Sequence, residues 1–479
     1  MDFHFVPPTN DAPVPPLNRD MSMEAFERFT DAEAMREIFQ QRLAESSEKN
    51  LLITRCDILY ARYRTFVRQE SQHRSYIALC YELEFSDGAG CRVGTQMLYA
   101  KAYVDGKSEQ RFHAAKVGTL VSPRFGQALI HLPDLDMVIW AFPNDPELPH
   151  LADVIDPNGA LPYLPYDSLP ADVDGPHHLA DLTVEVIHYY PEERCTSRYS
   201  LRSGDASSPR RLTLIGKTYQ DEKGREVYRR MQNLWEISQQ QGDFAVAEPL
   251  GYDAAVKTVW QKDMPGVPAR QLMTTAKRAD WLQRIAKGLA SLHRSVPASA
   301  ATYGVNDPVE DLHNKTAKLS HAFPHLQEPL QALRHSLEQS ARERAAPPQK
   351  FIHGDFHLRQ LLADAERIVF LDFDECALDD PLQDLASFLV DLSSYDFTAA
   401  DTAQMGWLFL QAYERAAGWQ IPLDRLDRHI RMQFFTKAYR AYRQHLPDRE
   451  ERVRTLLALA RRDTQLAEQG AIFARGISE

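Results

Sequence analysis

The stretch that decides the fold runs from Phe351 to Leu362 and reads FIHGDFHLRQLL. An apolar pair opens it, a polar loop follows, and an apolar pair closes it. Residues 367–374, RIVFLDFD, read as a second strand that ends in the carboxylates Asp372 and Asp374. Because side chains alternate along a strand, we expect these two carboxylates to lie on one face. The pattern predicts a hairpin-like unit in which the polar loop lies beside the strand end.

The residue types in this unit suit phosphoryl transfer from a nucleotide. That reaction needs a carboxylate to orient the attacking hydroxyl and accept its proton, oxygen ligands for Mg²⁺, and a cation on the phosphates. Asp355 suits the first role, and the amide oxygen of Gln360 with the carboxylate of Asp372 suits the second. The alternative is that the His-Gly-Asp triplet is a surface turn and the aspartates are solvated. The order and spacing of several elements agree, which favours the site.

These motifs resemble those of the aminoglycoside phosphotransferase and choline kinase superfamily, which has a protein-kinase-like fold. The residues that carry the resemblance are His353-Gly354-Asp355-x-His357-x-x-Gln360, then Leu371-Asp372-Phe373-Asp374, then Asp380-Pro381-x-x-Asp384. The resemblance covers roughly residues 183–445. It implies Asp355 as the catalytic base, Gln360 and Asp372 as magnesium ligands, and Asp384 as a structural residue that ties the catalytic loop to the next helix.

Within this superfamily the loop is most similar to that of the maltokinases, a branch that phosphorylates a disaccharide and also carries an N-terminal cap. The sequence departs from that branch at residues 372–376, DFDEC, where Asp-Phe-Glu-Gly-Glu is expected. Arg359 stands where a small residue is usual, and Gln360 stands where most members carry asparagine. Glutamine is one methylene longer but offers the same carbonyl oxygen.

The small lobe of this fold supplies a strand lysine that binds phosphates and pairs with a carboxylate on the next helix. Lys217, which follows a predicted strand, is the candidate lysine, and Glu226 is its candidate partner. A solvated lysine at a strand end is the alternative. No GxGxxG motif occurs, and residues 190–194 occupy the turn that would cover the phosphates.

A hinge strand that joins the two lobes is expected over residues 256–266. It contains Trp260 and Lys262, and the resemblance implies that its backbone binds adenine.

The predicted fold class is α+β, with a protein-kinase-like pair of lobes preceded by an additional N-terminal α+β module. The predicted regions are a flexible tail (1–25), a cap or pseudo-lobe with a proline-rich, irregular connector (26–182), a small β-rich N-lobe (183–262) and a larger helical C-lobe with the catalytic loop (263–479).

Two β-rich stretches end alike, one in Lys101-x-Tyr103-x-Asp105-x-Lys107 and the other in Lys217-x-Tyr219-x-Asp221-x-Lys223. Two interpretations stay open, namely a similarity of composition between two hairpins and an internal duplication of a lobe. Residues 102–182 contain no catalytic loop of the kind described above, so we expect Lys101 to be non-catalytic.

Composition limits the class of protein. The 479 residues carry a formal charge of −12, which argues against a nucleic-acid-binding protein. The five cysteines are dispersed, and neither a signal peptide nor a membrane span is apparent. We therefore predict a soluble cytoplasmic protein. A stripe of basic residues in the C-terminal part is expected to be a solvated helix face; its members are Arg428, Arg431, Lys437, Arg440 and Arg443.

The predicted function is that of an ATP- and Mg²⁺-dependent phosphotransferase acting on a hydroxyl of a small polar molecule. A sugar or an aminoglycoside-like compound is the expected acceptor. One alternative is a kinase for protein side chains or lipid head groups. The other is a nucleotide-binding pseudokinase or scaffold that acts through its N-terminal module, which the unusual Arg359 and Gln360 motivate.

Overall fold

The computed structural model describes residues 28–44, 51–68, 72–103, 106–115, 117–170, 182–203, 210–295, 308–342, 349–364, 367–444 and 448–461. The predicted tail, residues 1–25, lies outside the described residues. Two antiparallel sheets followed by a largely helical region confirm the predicted α+β class.

The N-terminal module is a five-stranded antiparallel sheet covered by a helix. Its elements are α1 (Ala32–Ala44), β1 (Leu52–Arg68), β2 (Gln72–Ser86), β3 (Arg92–Tyr103), α2 (Ser108–Ala114), β4 (Leu129–Leu132) and β5 (Met137–Ala141). Phe29, Met35 and Phe39 pack against Ile77 and Leu79 of the sheet. The strand order is β1-β2-β3-β5-β4.

The prediction of an irregular connector was wrong for residues 129–141, which form β4 and β5. Met137–Ala141 is buried at every position, as a strand inside a sheet should be. Its apolar run is too short to separate a strand from a buried loop by periodicity, and the surrounding prolines concealed it.

The second sheet follows the short helices α3 (Leu151–Ile155) and α4 (Pro157–Ala160). It is built from β6 (Leu182–Tyr190), β7 (Arg194–Ser203), β8 (Arg210–Tyr219), β10 (Pro249–Asp253) and β11 (Thr258–Lys262), in the order β10-β11-β8-β7-β6. Helix α5 (Lys223–Gln241) packs on one face through Val227 and Met231. The other face, which includes Tyr199 and Trp260, packs on residues 160–169.

The two sheets have the same topology. In each one three consecutive antiparallel strands are followed by a helix, and the last two strands join the third in reversed order. The lysines of the two matching sequence endings also occupy matching places, because Lys101 lies opposite Val138 and Lys217 lies opposite Val259. A shared strand order and register is what internal duplication of a lobe predicts.

The remaining described residues form the helical region and its small sheets. Their bounds are β9 (Ala245–Val246), β12 (Val267–Pro268), α6 (Ala269–Leu272), α7 (Arg278–Arg294), α8 (Pro308–Ala322), α9 (Gln327–Arg342), β13 (Lys350–Ile352), β14 (Leu361–Asp364), β15 (Arg367–Phe370), β16 (Ala377–Asp379), α10 (Leu382–Leu392), α11 (Ala399–Ala417), α12 (Leu423–Arg443) and α13 (Arg449–Arg461). The leucines that recur on one face of α7 and α10 belong to a shared core, in which all of them except the partly buried Leu389 are fully buried. Strand β9 pairs in parallel with β15, which attaches the chain that leaves α5 to the catalytic hairpin.

None of the helices in the described part of the chain is both long and apolar enough to cross a bilayer. All five cysteines carry free thiols, and four of them are buried.

Candidate active site

The catalytic loop leaves strand β13 and is fixed by one buried carboxylate. Asp384, at the start of α10, accepts hydrogen bonds from the backbone amides of His353 (2.7 Å) and Gly354 (2.9 Å) and from Nε2 of His293 (3.0 Å). Gly354 has φ +83°, and a Cβ there would lie 2.1 Å from the carbonyl oxygen of Glu375. A side chain is therefore excluded at this position, which explains the glycine of the motif.

Asp355 follows this turn, and its carboxylate lies between the imidazole of His357 and the guanidinium of Arg440. Its Oδ2 lies 3.4 Å from Nε2 of His357, and its Oδ1 lies 3.4 Å from the guanidinium of Arg440. Burial alone would raise its pKa, but the hydrogen bond from His357 and the charge of Arg440 lower the pKa of Asp355 to about 2. The carboxylate is thus ionised and able to accept a proton.

Gln360 and Asp372 meet at the open end of the β14–β15 hairpin. The amide of Leu371 donates to the carbonyl of Gln360 (2.9 Å), and Nε2 of Gln360 donates to Oδ2 of Asp372 (3.2 Å). The strand ends at Phe370, whereas the predicted strand continued to Asp374. Asp372 lies in the loop that follows and has φ +59°. Asp372 and Asp374 do face the same way, but loop geometry and not strand alternation directs them.

Lys217 reaches these two carboxylates from the sheet above. Its Nζ lies 2.5 Å from Oδ1 of Asp372 and 2.8 Å from Oδ1 of Asp374. Arg194 donates to Oδ2 of Asp374 (2.7 Å), and the hydroxyl of Tyr219 lies 3.1 Å from Oδ1. Burial works against the charge on Asp372, yet the cations Lys217 and Arg194 hold its pKa well below the usual value.

The predicted pairing of Lys217 with Glu226 was wrong. Glu226, on α5, binds Arg230 one turn later on the same helix (3.3 Å). Lys217 finds carboxylates across the cleft instead, because the catalytic hairpin brings two of them within reach.

The side chains of Trp260 and Lys262 lie away from Lys217, and the expectation that the backbone of their strand binds adenine stays a prediction. Both point to the face of the sheet opposite Lys217, because strand residues alternate and Val259 is the cross-strand neighbour of Lys217. The indole of Trp260 packs on Tyr199 with ring centroids 4.8 Å apart. Lys262 is largely exposed near Glu248, and its backbone amide already donates to the carbonyl of Glu248 (2.9 Å).

A narrow cavity of about 20 Å³ separates the sheet from the catalytic hairpin. Its walls include Lys217, Gln261, Ala247, Phe370 and Asp372. The cavity thus lies between the lysine of the sheet and the carboxylate at the end of the hairpin.

The N-terminal module binds the turn between β6 and β7 through ion pairs and hydrogen bonds. Glu192, at φ +66° and almost fully buried, pairs with Lys101 and accepts a hydrogen bond from the hydroxyl of Tyr76 (2.8 Å). Its backbone amide donates to Oδ2 of Asp145 (2.9 Å), and the next residue, Glu193, binds Arg62 (2.6 Å). Sequence reasoning missed these contacts because 91 residues separate Lys101 from Glu192.

The donors present suit a hard divalent cation such as Mg²⁺. Turning the Gln360 amide about its last torsion places its carbonyl oxygen beside the Asp372 carboxylate, which gives two adjacent oxygen ligands. Among the described residues, no group of three or more histidine, cysteine or acidic side chains forms a protein-only metal site. Mg²⁺ commonly binds through one or two protein oxygens together with substrate phosphates, so the donor set fits this mode.

Comparison with known proteins bears on the same part of the chain. Residues 198–422 match a family described as the phosphotransferase enzyme family. No curated protein matches the sequence significantly.

Similar solved structures include a choline/ethanolamine kinase family protein from Mesorhizobium loti, with 13% identity, coverage of 64% of this chain and 95% of that chain, and a TM-score of 0.43. A choline kinase from Streptococcus pneumoniae is 14% identical, with coverage of 59% of this chain and 94% of that chain and a TM-score of 0.42. Another is an amicoumacin kinase in complex with AMP-PNP and Ca²⁺ (13%, 57% and 87%, 0.43). TM-scores below 0.5 give no information on the substrate of this chain.

The matched segment contains Lys217, Asp355, Gln360, Asp372 and Asp384, so that the family match and the site coincide. The maltokinase-like assignment was not singled out by any of these matches and stays a prediction. Residues 198–422 are therefore similar to the phosphotransferase enzyme family.

Proposed function

We propose that this protein transfers the γ-phosphate of ATP, with Mg²⁺, to a hydroxyl of a small polar molecule. The observation that carries the proposal is the convergence of Lys217 on Asp372, which itself touches Gln360 on the loop of Asp355. A cation for the phosphates, two oxygen ligands for the metal and an ionised base thus surround one cleft. The resemblance stated above favours a sugar or an aminoglycoside-like acceptor.

The nucleotide would displace the ion pairs that close the cleft. Lys217 and Arg194 would exchange their carboxylate partners for phosphate oxygens, and Asp372 with Gln360 would hold the metal. When bound, Mg²⁺ neutralises charge that develops on the phosphates.

In the transfer step, Asp355 would orient the acceptor hydroxyl toward the γ-phosphorus. A bond forms between the hydroxyl oxygen and phosphorus, the bond from phosphorus to the β–γ bridging oxygen breaks, and ADP leaves. The hydroxyl proton passes to Asp355. With its pKa lowered to about 2, this carboxylate is a weak base, so its main contribution is positioning the hydroxyl.

The N-terminal module would serve as a support for the turn that covers the phosphates. Lys101 and Tyr76 hold Glu192, two residues before Arg194. We therefore assign the module a positioning role and keep the domain boundaries given above as predictions.

The experiment that tests the function separates binding from turnover. Asp355→Asn should bind ATP·Mg²⁺ with nearly the affinity of the wild type in calorimetry, yet lose transfer. Asp364→Asn, which changes an aspartate that pairs with Arg367 on the hairpin (3.7 Å), is the matched control and should keep transfer.

A second pair of variants tests the metal ligand. Gln360→Ala should raise the Mg²⁺ concentration needed for half-maximal activity by about tenfold to a hundredfold, whereas Gln360→Asn should restore part of it. Nucleotide binding without transfer to any acceptor or to water would instead support the pseudokinase alternative. Full turnover of Asp355→Asn would refute the proposed mechanism.

A further inference from the structure

The acceptor side of Asp355 is surrounded by cations. Arg440, on α12, places both terminal nitrogens 3.4 Å from Oδ1 of Asp355. Lys437 lies one helical turn earlier on the same helix, and Arg359 lies on the catalytic loop between Asp355 and Gln360. The three positive groups therefore lie on α12 and on the catalytic loop that carries Asp355.

The same groups influence one another electrostatically. Burial lowers the pKa of Lys437, Asp391 and Asp355 oppose this effect, and the positive charges of Arg359 and Arg440 add to it. Such mutual effects require close distances, since solvent screens charges that are far apart.

Local carboxylates do not neutralise this cluster. Nζ of Lys437 binds only neutral oxygens, namely Val390 O (3.2 Å) and Ser394 Oγ (2.5 Å). Within the described part of the chain, neither Lys437 nor Arg359 forms an ion pair. Asp391 is buried, and its Oδ2 already accepts from the amide of Leu358 (3.0 Å) and the hydroxyl of Tyr395 (3.2 Å).

The expectation that the basic stripe of α12 is a solvated face was wrong for Lys437, which is half-buried and binds the carbonyl of Val390. Arg440 keeps 57% of its side chain exposed and also contacts Asp355. Arg431 binds the carbonyl of Ala460 and belongs to the packing of α12 on α13. Arg440 and Lys437 instead turn toward the catalytic loop and α10. Three cations against the carboxylates of Asp355 and Asp391 leave this side of the site with an excess of positive charge.

An excess of positive charge disfavours polycationic acceptors and favours acceptors that bring a negative group. A polyamine or a quaternary ammonium compound would meet like charges next to the hydroxyl that reacts. A phosphate or carboxylate group would receive charge-assisted hydrogen bonds, which the planar guanidinium of arginine provides in pairs.

We propose that the acceptor is an alcohol that carries an anionic group, a phosphate or a carboxylate, which Arg440, Lys437 and Arg359 bind beside Asp355. This inference rests on the proposed function. It narrows the acceptor from any sugar or aminoglycoside-like compound to an alcohol that carries a phosphate or a carboxylate.

The test compares matched acceptors with the full chain, ATP and Mg²⁺. The panel contains glycerol, glycerate and glycerol phosphate, then glucose and gluconate, and finally kanamycin and choline. We expect kcat/KM for an anionic member to exceed that of its neutral parent by about tenfold or more, as one charge-assisted hydrogen bond implies. The glycerate and glycerol phosphate arms separate a carboxylate from a phosphate.

Variants assign the preference to residues. Arg440→Gln and Lys437→Gln should each lower the ratio of anionic to neutral kcat/KM by about tenfold, mainly through the KM for the acceptor, while the KM for ATP stays within about twofold. Arg454→Gln, which removes an arginine that pairs with Glu450 on α13, is the control and should leave the ratio unchanged.

The outcomes separate the inference from the function on which it rests. Transfer of phosphate to any member of the panel reports the function independently. Transfer that favours neutral or cationic acceptors, or that shows no preference, would overturn the inference alone. No transfer to any member of the panel, with or without hydrolysis of ATP, would overturn the proposed function.

Discussion

Replacing Lys101 by methionine tests whether the N-terminal module supports the active site. The pair Lys101–Glu192 is largely buried, with side-chain exposures of 13% and 8%. Lys101 also lies over the ring of Tyr76, 4.2 Å from its centroid. In Lys101→Met, Glu192 keeps the hydroxyl of Tyr76 but loses its counter-charge. Breaking a buried pair by removing one partner costs about 3–5 kcal/mol, so we expect a loss of stability of this size.

A double-mutant cycle measures the coupling between the two residues. Lys101→Met and Glu192→Gln should each destabilise the protein, and the combined variant should recover much of the loss because no unpaired charge remains buried. The free energy of unfolding is measured by denaturant titration, following the transition that reports the N-terminal module. Arg92→Met is the control, since Arg92 lies on the same strand but forms an exposed pair with Glu84 worth at most about 1 kcal/mol.

The same variant has a kinetic consequence. Because Glu192 precedes Arg194 by two residues, loosening the turn should displace Arg194 and lower kcat/KM for ATP by about tenfold to a hundredfold. A loss of stability below about 1 kcal/mol in Lys101→Met, equal to that of Arg92→Met, would show that the buried pair Lys101–Glu192 does not stabilise the protein. Normal kinetics in a destabilised Lys101→Met would refute its link to the active site.

Three further predictions concern the catalytic loop. Gly354→Ala should yield little folded protein, because its Cβ would lie 2.1 Å from the carbonyl oxygen of Glu375. Soluble yield and circular dichroism are compared with those of Gly406→Ala, whose Cβ would meet only a side-chain carbon of Leu389 at 3.0 Å. Equal yields of the two variants would contradict the prediction. Asp384→Asn should cost about 3 kcal/mol in denaturant unfolding, because an amide cannot accept all three hydrogen bonds that the buried carboxylate accepts. A cost as small as that of Asp401→Asn, which changes a half-exposed aspartate that pairs with Arg278, would count against it. The pKa of Asp355 is about 2 in the folded protein and 3.8 ordinarily, so its contribution to stability is present above pH 3.8 and disappears as the pH falls toward 2. Asp355→Asn should therefore have a flatter acid-unfolding curve in that range. Identical curves for the variant and the wild type would show that the pKa of this carboxylate is not lowered.

The catalytic hairpin could be predicted from the sequence because its contacts are local. Asp355, Gln360 and Asp372 lie within 18 positions, and a short loop followed by two paired strands leaves few ways to arrange them. Their types also restrict the chemistry, which is why the loop sequence alone indicates phosphoryl transfer.

Contacts between distant segments could not be predicted in this way. The carboxylates that bind Lys217 lie 155 and 157 residues away, and nothing near Glu226 in the sequence marks it as the wrong partner. The side-chain direction of Trp260 depends on a different factor. Strand alternation places Trp260 and Lys217 on opposite faces once their register is known, but the register depends on long-range pairing. Arg440 illustrates the third case, since a basic stripe on a helix looks the same whether it faces water or a catalytic aspartate.

The most direct test of the account is a ³¹P NMR time course with the full chain, ATP, Mg²⁺ and the acceptor that the panel ranks first. The proposed mechanism predicts a new phosphomonoester resonance that grows in proportion to ADP. This resonance should be absent from the reaction of Asp355→Asn, although that variant still binds ATP. ADP formation with only inorganic phosphate as the second product in every acceptor mixture, or an undiminished phosphomonoester signal from Asp355→Asn, would contradict it.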